Sequence, residues 1–227
     1  MTKIDRRKTY GIILDTETAN GLEDPFYYDF GWQIVDSHGN WYKSRAFINA
    51  DVFLGMKELM KSAYYADKIP QYWEMIKSGE KILTSMAKIR QALYDDINEY
   101  NVQFVCAHNA RFDYNALNKT QRYVTKSKYR FALPYGLEWF DTMKMAKQVV
   151  ATMPTYRQFC ESNGYMTKHK IPRPRLTAEI LYRFVSKDND FTEDHMGLED
   201  VEIERRIFEY CRKTRRIPLG DCKLWAD

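Results

Sequence analysis

A chain of 227 residues with 44% hydrophobic and 29% charged residues has the make-up of a soluble globular protein. Mean hydropathy is −0.60, no run approaches the roughly 18 apolar residues of a membrane span, and the apolar stretch Gly11–Leu14 is too short for the core of a secretory leader. The net charge of +4 is too small to announce a nucleic-acid partner, so the 35 basic residues matter only where they cluster. Cys106, Cys160, Cys211 and Cys222 form no Cys-x-x-Cys pair, which excludes a zinc knuckle or disulfide framework and fits a reducing cytoplasm. The length predicts one domain over 1–227, with a helical insertion at about 54–100 and a short basic extension at 211–227.

In chain order, Thr9–Leu14 reads as a short buried strand in which Tyr10, Ile12 and Leu14 alternate with Gly11 and Ile13. Asn20-Gly21 is a break. Phe30–Val35 and Trp41–Ile48 read as two strands joined by a turn at Ser37-His38-Gly39-Asn40. Residues 54–100 read as mostly helical, with Ile82, Met86, Ile89, Leu93 and Ile97 forming an apolar stripe at helical spacing. Val102–Ala107 is an apolar strand of the kind buried on both faces. A helix is expected from Arg111, then a short strand at Trp139-Phe140 and helices over Thr142–Val150, Tyr156–Asn163 and Leu176–Val185. A basic loop covers 165–175. The last helix is expected over Met196–Lys213, starting near Asp194 or His195, with Ile203, Ile207 and Tyr210 on one side and Glu202, Arg206 and Glu209 on the other. This order predicts an α/β fold with a mixed central sheet flanked by helices.

Three stretches carry chemistry. Asp15 and Glu17 stand at i and i+2 at the end of the first strand, which points both carboxylates to one face; they are either a solvated strand end or a pair that ligates a hard divalent cation. A second Asp-x-Glu, Asp200/Glu202, falls on a helix, where residues two apart diverge by roughly 200°. His108-Asn109-Ala110-Arg111-Phe112-Asp113 leads from a buried strand into a helix; Asp113 is either an ordinary helix-start acid, favoured there by the helix dipole, or a ligand. His195 precedes Asp200 by five positions, and is either structural or able to take a proton from water.

Taken together, Asp15-x-Glu17, His108-Asn109-Ala110-x-Phe112-Asp113 and His195-x4-Asp200 resemble the DEDDh branch of the DnaQ-like 3′→5′ exonucleases, among them the proofreading epsilon subunit of DNA polymerase III, RNase T and oligoribonuclease. Phe140-Asp141-Thr142 is similar to the family's buried Asp-Thr/Ser segment, so Asp141 is read as a supporting residue. The resemblance implies an RNase H-like exonuclease fold and a two-metal phosphodiesterase using Mg²⁺ or Mn²⁺. It implies that Asp15 bridges both ions, Glu17 and Asp200 complete the shell of the first, Asp113 holds the second, and His195 is the general base. Thr18, Leu22 and Asn109 are the implied substrate contacts; Leu22 is equally readable as core and Asn109 as a turn cap. The stretch Thr18-Ala19-Asn20-Gly21-Leu22 is one residue longer than the family's usual Thr-Thr-Gly-Leu.

The implied substrates are single-stranded or frayed 3′ ends, DNA first and RNA as the alternative. A non-catalytic nucleic-acid-binding relative and a polymerase-bound proofreading subunit are the competing classes. A replication polymerase is a conceivable partner, and a phage-like replication setting would put the protein in the host cytoplasm. Basic clusters at Lys119–Arg130, Lys168–Arg175 and Arg212–Arg216 are either solvated faces or strand-tracking grooves.

Overall fold

The structure, a computed structural model, describes residues 4–21, 23–193, 195–215 and 217–225. Its centre is β1 (Tyr10–Ala19), which pairs antiparallel with β2 (Phe26–Asp36) and parallel with β5 (Phe104–Ala107). β3 (Trp41–Asn49) continues antiparallel from β2, β4 (Ile82–Thr84) adds a parallel edge, and β6 (Glu138–Asp141) runs parallel to β5. The sheet order is β4-β3-β2-β1-β5-β6, a mixed α/β sheet as expected. The β2–β3 turn is held by Asp36, whose Oδ1 accepts from the backbone N–H groups of His38 and Asn40 at 3.0 and 3.1 Å.

Alternation along β1 sorts the two layers. Ile12 and Leu14 pack with Trp32 and Ile34 against α4 (Met86–Tyr100) and α5 (Arg111–Thr125). Ile13 faces the other way, with Val35, Phe104 and Cys106, into α6 (Thr142–Val149), α7 (Pro154–Ser162), α8 (Ala178–Ser186) and α9 (Gly197–Thr214). Continuing the period of two, Asp15 and Glu17 belong to the α9 layer and Thr16 to the α5 layer. The carboxylate of Asp96 on α4, fully buried, is compensated by Trp32 Nε1 at 3.0 Å, Arg45 Nε at 2.8 Å and Lys43 Nζ at 2.7 Å.

The stretch expected to be mostly helical holds α1 (Ala50–Phe53), α2 (Lys57–Lys61), a 3-10 turn at Ala66–Lys68 and α3 (Ile69–Ser78), but also the strand β4. Ile82 is therefore not part of the α4 stripe: it pairs with Phe47 on the free edge of β3 and is 52% exposed, while Met86, Ile89, Leu93 and Ile97 are buried. Ile82 and Met86 are four apart, so helical spacing extends one turn too far. Gly79, at φ 81, ends α3 and turns the chain toward the sheet edge. A small aromatic core fills the space below, with Tyr28 edge-on to Tyr72 at 5.5 Å and Phe53 between them and Trp73. α9 starts at Gly197, two residues after His195, so His195 stands outside the helix expected to begin at it.

One glycine fixes how close α9 comes to the sheet. A Cβ on Gly31, opposite Asp15 in β2, would lie 2.6 Å from the Leu198 backbone nitrogen and 2.7 Å from the Gly197 carbonyl carbon. Both are backbone atoms, so neither can yield as a side-chain tip would. Gly31→Ala is expected to cost about 1–3 kcal/mol, the usual range for overpacking, read as a lower urea midpoint with an unchanged m-value.

Candidate active site

The site forms where β1 runs past its parallel neighbour. β5 pairs with β1 only as far as Ile13↔Cys106, which leaves the following edge of β1 open to α5. Asp113, in the first turn of α5, uses that opening: its Oδ1 accepts from the Thr16 backbone N–H at 3.1 Å and from the Thr16 hydroxyl at 2.8 Å. On the other side, Asp29, the partner of Glu17 in β2, accepts from the Gly197 N–H at 3.0 Å and so fixes the start of α9. The same Asp29 Oδ2 lies 2.9 Å from Lys81 Nζ, a buried ion pair in which the lysine is 1% exposed. The first turn of α9 then carries Asp200 onto the Asp15/Glu17 face, and single donor atoms of Glu17, His195 and Asp200 all lie within 4.8 Å of one another.

The turn between β5 and α5 is tied down from below. Asn109 adopts φ 61, a conformation asparagine tolerates better than most residues, and its N–H donates to Asp141 Oδ1 at 3.1 Å. Asp141 also caps α6, accepting from the N–H of Met143 at 2.8 Å. His108 sits in the layer below, its Nε2 2.7 Å from the Leu176 carbonyl and its Nδ1 3.1 Å from the Thr142 hydroxyl. A carbonyl only accepts, so Nε2 carries the proton. Burial holds the His108 imidazole below its ordinary pKa and favours the neutral ring.

The electrostatics are those of crowded acids. Burial pushes Asp15 well above the carboxylate range, and the charges of Asp113, Asp200, Glu204 and Glu17 push the same way. Glu17 is pushed up to about 9, by burial and then by Asp200. Asp200 rises to about 8, by burial and then by Glu193. Asp113 rises to about 7 through burial, with the Thr16 hydrogen bond pulling it back. Oδ2 of Asp15 and Oδ1 of Asp200 are shut from solvent and accept no hydrogen bond among the described residues.

The residues singled out in the sequence thus converge from three remote stretches: Asp15 and Glu17 from β1, Asp113 from α5, Asp200 from α9 and His195 from the loop before it. Thr18 lies just past an irregularity in the β1–β2 register, and Asn109 is exposed beside the site. Leu22 lies outside the described residues. Sequence reasoning missed Glu204, one turn beyond Asp200 on the same buried stripe of α9, whose acidity is strongly suppressed, by burial first and then by Asp113. The i, i+4 spacing to Asp200 is the signal that could have found it. It also missed Glu193, pushed up to about 7 by burial and then by Glu179, and the Asp29–Lys81 pair, which no local pattern announces. Glu202, expected to diverge from Asp200, does so: its Oε2 and Oε1 bind Arg205 at 2.8 and 2.6 Å.

No protein-family model and no curated protein sequence matches the chain. Solved structures do. Escherichia coli exonuclease I in complex with a dT13 oligonucleotide superposes at TM-score 0.54 and 14% identity, covering 91% of this chain and 42% of that one. The dA16 complex of the same enzyme gives TM-score 0.54 and 15% identity, covering 94% and 42%. A moderately thermophilic exonuclease I from Methylocaldum szegediense gives TM-score 0.52 and 14% identity, covering 89% and 40%. The chain has the exonuclease I fold. It spans about 42% of the length of the Escherichia coli chains.

A raised carboxylate pKa makes the folded state bind more protons than the unfolded one. The stability it contributes is complete below the unfolded value near 4 and is lost as pH rises through the folded values of about 7 to about 9. The melting temperature of the protein in EDTA is therefore expected to fall as pH rises from about 5 to about 9. Saturating Mg²⁺ or Mn²⁺ should recover most at the alkaline end, because ligating carboxylates must be deprotonated. Calorimetry across that range checks it; equal midpoints with and without the ions would rule out a metal-ligating cluster.

Proposed function

We propose that the chain is a metal-dependent 3′→5′ exonuclease that hydrolyses phosphodiester bonds at single-stranded or frayed DNA ends and releases nucleoside monophosphates. The observation that carries this reading is the convergence of Asp15, Glu17, Asp113 and Asp200 with the His195 imidazole at the rim. A single pair of carboxylates about 4 Å apart repels by roughly 4 kcal/mol at an effective dielectric near 20, and four gathered acids multiply the pairs. Protons or cations must offset that, and an enzyme working near neutral pH has use for cations.

In this reading Asp15, Glu17 and Asp200 would hold one divalent cation, Mg²⁺ or Mn²⁺, and Asp113 would help to hold a second. The donor set fits such ions, being carboxylate oxygens with one imidazole alongside, and the partnerless buried oxygens of Asp15 and Asp200 are the atoms that need positive charge. Bound ions of this kind neutralise charge building on the phosphate oxygens and acidify a coordinated water. His195, with 36% of its side chain exposed, accepts the proton of the attacking water. The new bond to phosphorus forms as the bond to the O3′ of the penultimate nucleotide breaks, and that oxygen takes its proton from a solvent water. Thr18, Leu22 and Asn109 are assigned to the terminal nucleotide. Asp141 supports them by holding the Asn109 N–H.

A cleft of about 840 Å³ opens beside Asn109 and is lined by Lys147, Arg157, His169, Arg173 and Arg175. These bases are well suited to phosphates of the strand leading to the site. The exonuclease I structures hold oligo-dT and oligo-dA, which favours DNA over RNA as the first substrate to try.

The decisive assay is a nucleotide-resolution time course on labelled single-stranded DNA, duplex DNA and RNA, with Mg²⁺ or Mn²⁺ and an EDTA control. Stepwise shortening from the 3′ end of single-stranded DNA, abolished by EDTA, is the expected result; endonucleolytic cuts or no turnover would defeat the reading. His195→Ala should slow turnover by about 10²–10⁴-fold, the usual general-base contribution, while the metal-induced rise in melting temperature persists. In a binding assay, the Arg173→Ala/Arg175→Ala double variant should weaken single-strand affinity and flatten its dependence on log salt concentration by about 1–2 units of slope.

A further inference from the structure

We propose that Tyr65, from the segment joining β3 to α4, is a positioning residue for His195, holding the imidazole by its face so that a ring nitrogen stays beside the acid cluster. This rests on the exonuclease reading of the site and extends it to a part of the chain that carries no ligand.

The Tyr65 and His195 rings are nearly parallel, 15° apart with centroids separated by 4.6 Å, the geometry of an offset stack. The imidazole needs such a hold. His195 lies outside α9, in a stretch with no regular structure, and its backbone sits at φ 49, a left-handed conformation that a non-glycine residue keeps only when its surroundings impose it. Two residues on, the Gly197 N–H is fixed by Asp29, and Asp29 is held by the buried Lys81. The same β3–α4 segment therefore grips the His195–Gly197 turn twice, through Lys81 at its base and through Tyr65 at the imidazole.

Tyr65 is itself built in. Tyr64 meets its ring edge-on at 4.8 Å, and the Lys68 ammonium lies 4.9 Å from its centroid. A ring held from several sides can hold another. A general base works only when its nitrogen is within hydrogen-bond reach of the water it deprotonates, so freedom at this side chain costs rate rather than affinity.

The test uses the full chain with Y65F, Y65A and Y65L, each also in an H195A background. In metal-free protein the His195 ring protons, identified by their loss in H195A, should show an upfield ring-current shift in wild type and Y65F that disappears in Y65A and Y65L. Y65A should lower kcat by about 10–100-fold, the scale of a base displaced by about 1 Å, with KM within about twofold. Y65F should stay close to wild type, and Y65L, which keeps bulk without an aromatic face, should show the same kcat loss and takes the place of Y65A where truncation unfolds the protein. In the H195A background the Tyr65 substitutions should add nothing, because both act through one group. A KM rise at constant kcat, a full additional loss in H195A, or His195 signals indifferent to Tyr65 would each overturn the proposal. A wild type without metal-dependent nuclease activity would remove the exonuclease reading and the positioning role together, whereas an active wild type with indifferent His195 signals would remove the positioning role alone.

Discussion

Like charges brought out of water repel, and every contact around the end of β1 works against that repulsion. Asp15, Glu17, Asp113 and Asp200 come from three elements that would move apart if nothing restrained them. The restraints are polar and specific. Asp113 is bound to the backbone and hydroxyl of Thr16. The start of α9 is bound to Asp29. Gly31 leaves out a side chain that would push α9 off the sheet. Each restraint holds an acid at close range without neutralising it, so the cluster keeps its appetite for protons or cations.

Much of this was legible in the residues. Period-two alternation in β1 put Asp15 and Glu17 on one face, and the structure sets that face toward α9, as Ile13 on the same side shows. The α5 start followed from the polar turn that closes a buried strand, and the course of α9 from apolar spacing, because a long amphipathic helix advertises itself over several turns. What stayed hidden was either short or long-range. β4 has three residues and exists because β3 offers it an edge; three residues carry no period. The start of α9 was misjudged by two residues because the N-cap Met196 supplies no capping side chain. Lys81 and Asp29 are 52 positions apart and each reads as an ordinary surface charge in its own neighbourhood. Glu204 hid among the charged residues of a helix whose solvent side is also rich in glutamate and arginine.

The fold likeness and the site support one another without being the same argument. Superposition on exonuclease I concerns the path of the backbone, and at 14% identity it says nothing about which side chains were kept. The proposed chemistry rests on the acids themselves and on the basic cleft beside Asn109. The two meet at the junction of β1, α5 and α9, where open strand edge, helix start and loop imidazole coincide.

The provenance of the acids also sets an order of events during synthesis. Asp15 and Asp200 are 185 positions apart. Until α9 has left the ribosome and settled across the sheet, the four carboxylates stay scattered and hydrated, so the acid cluster comes into being only when the distant ends of the chain have met.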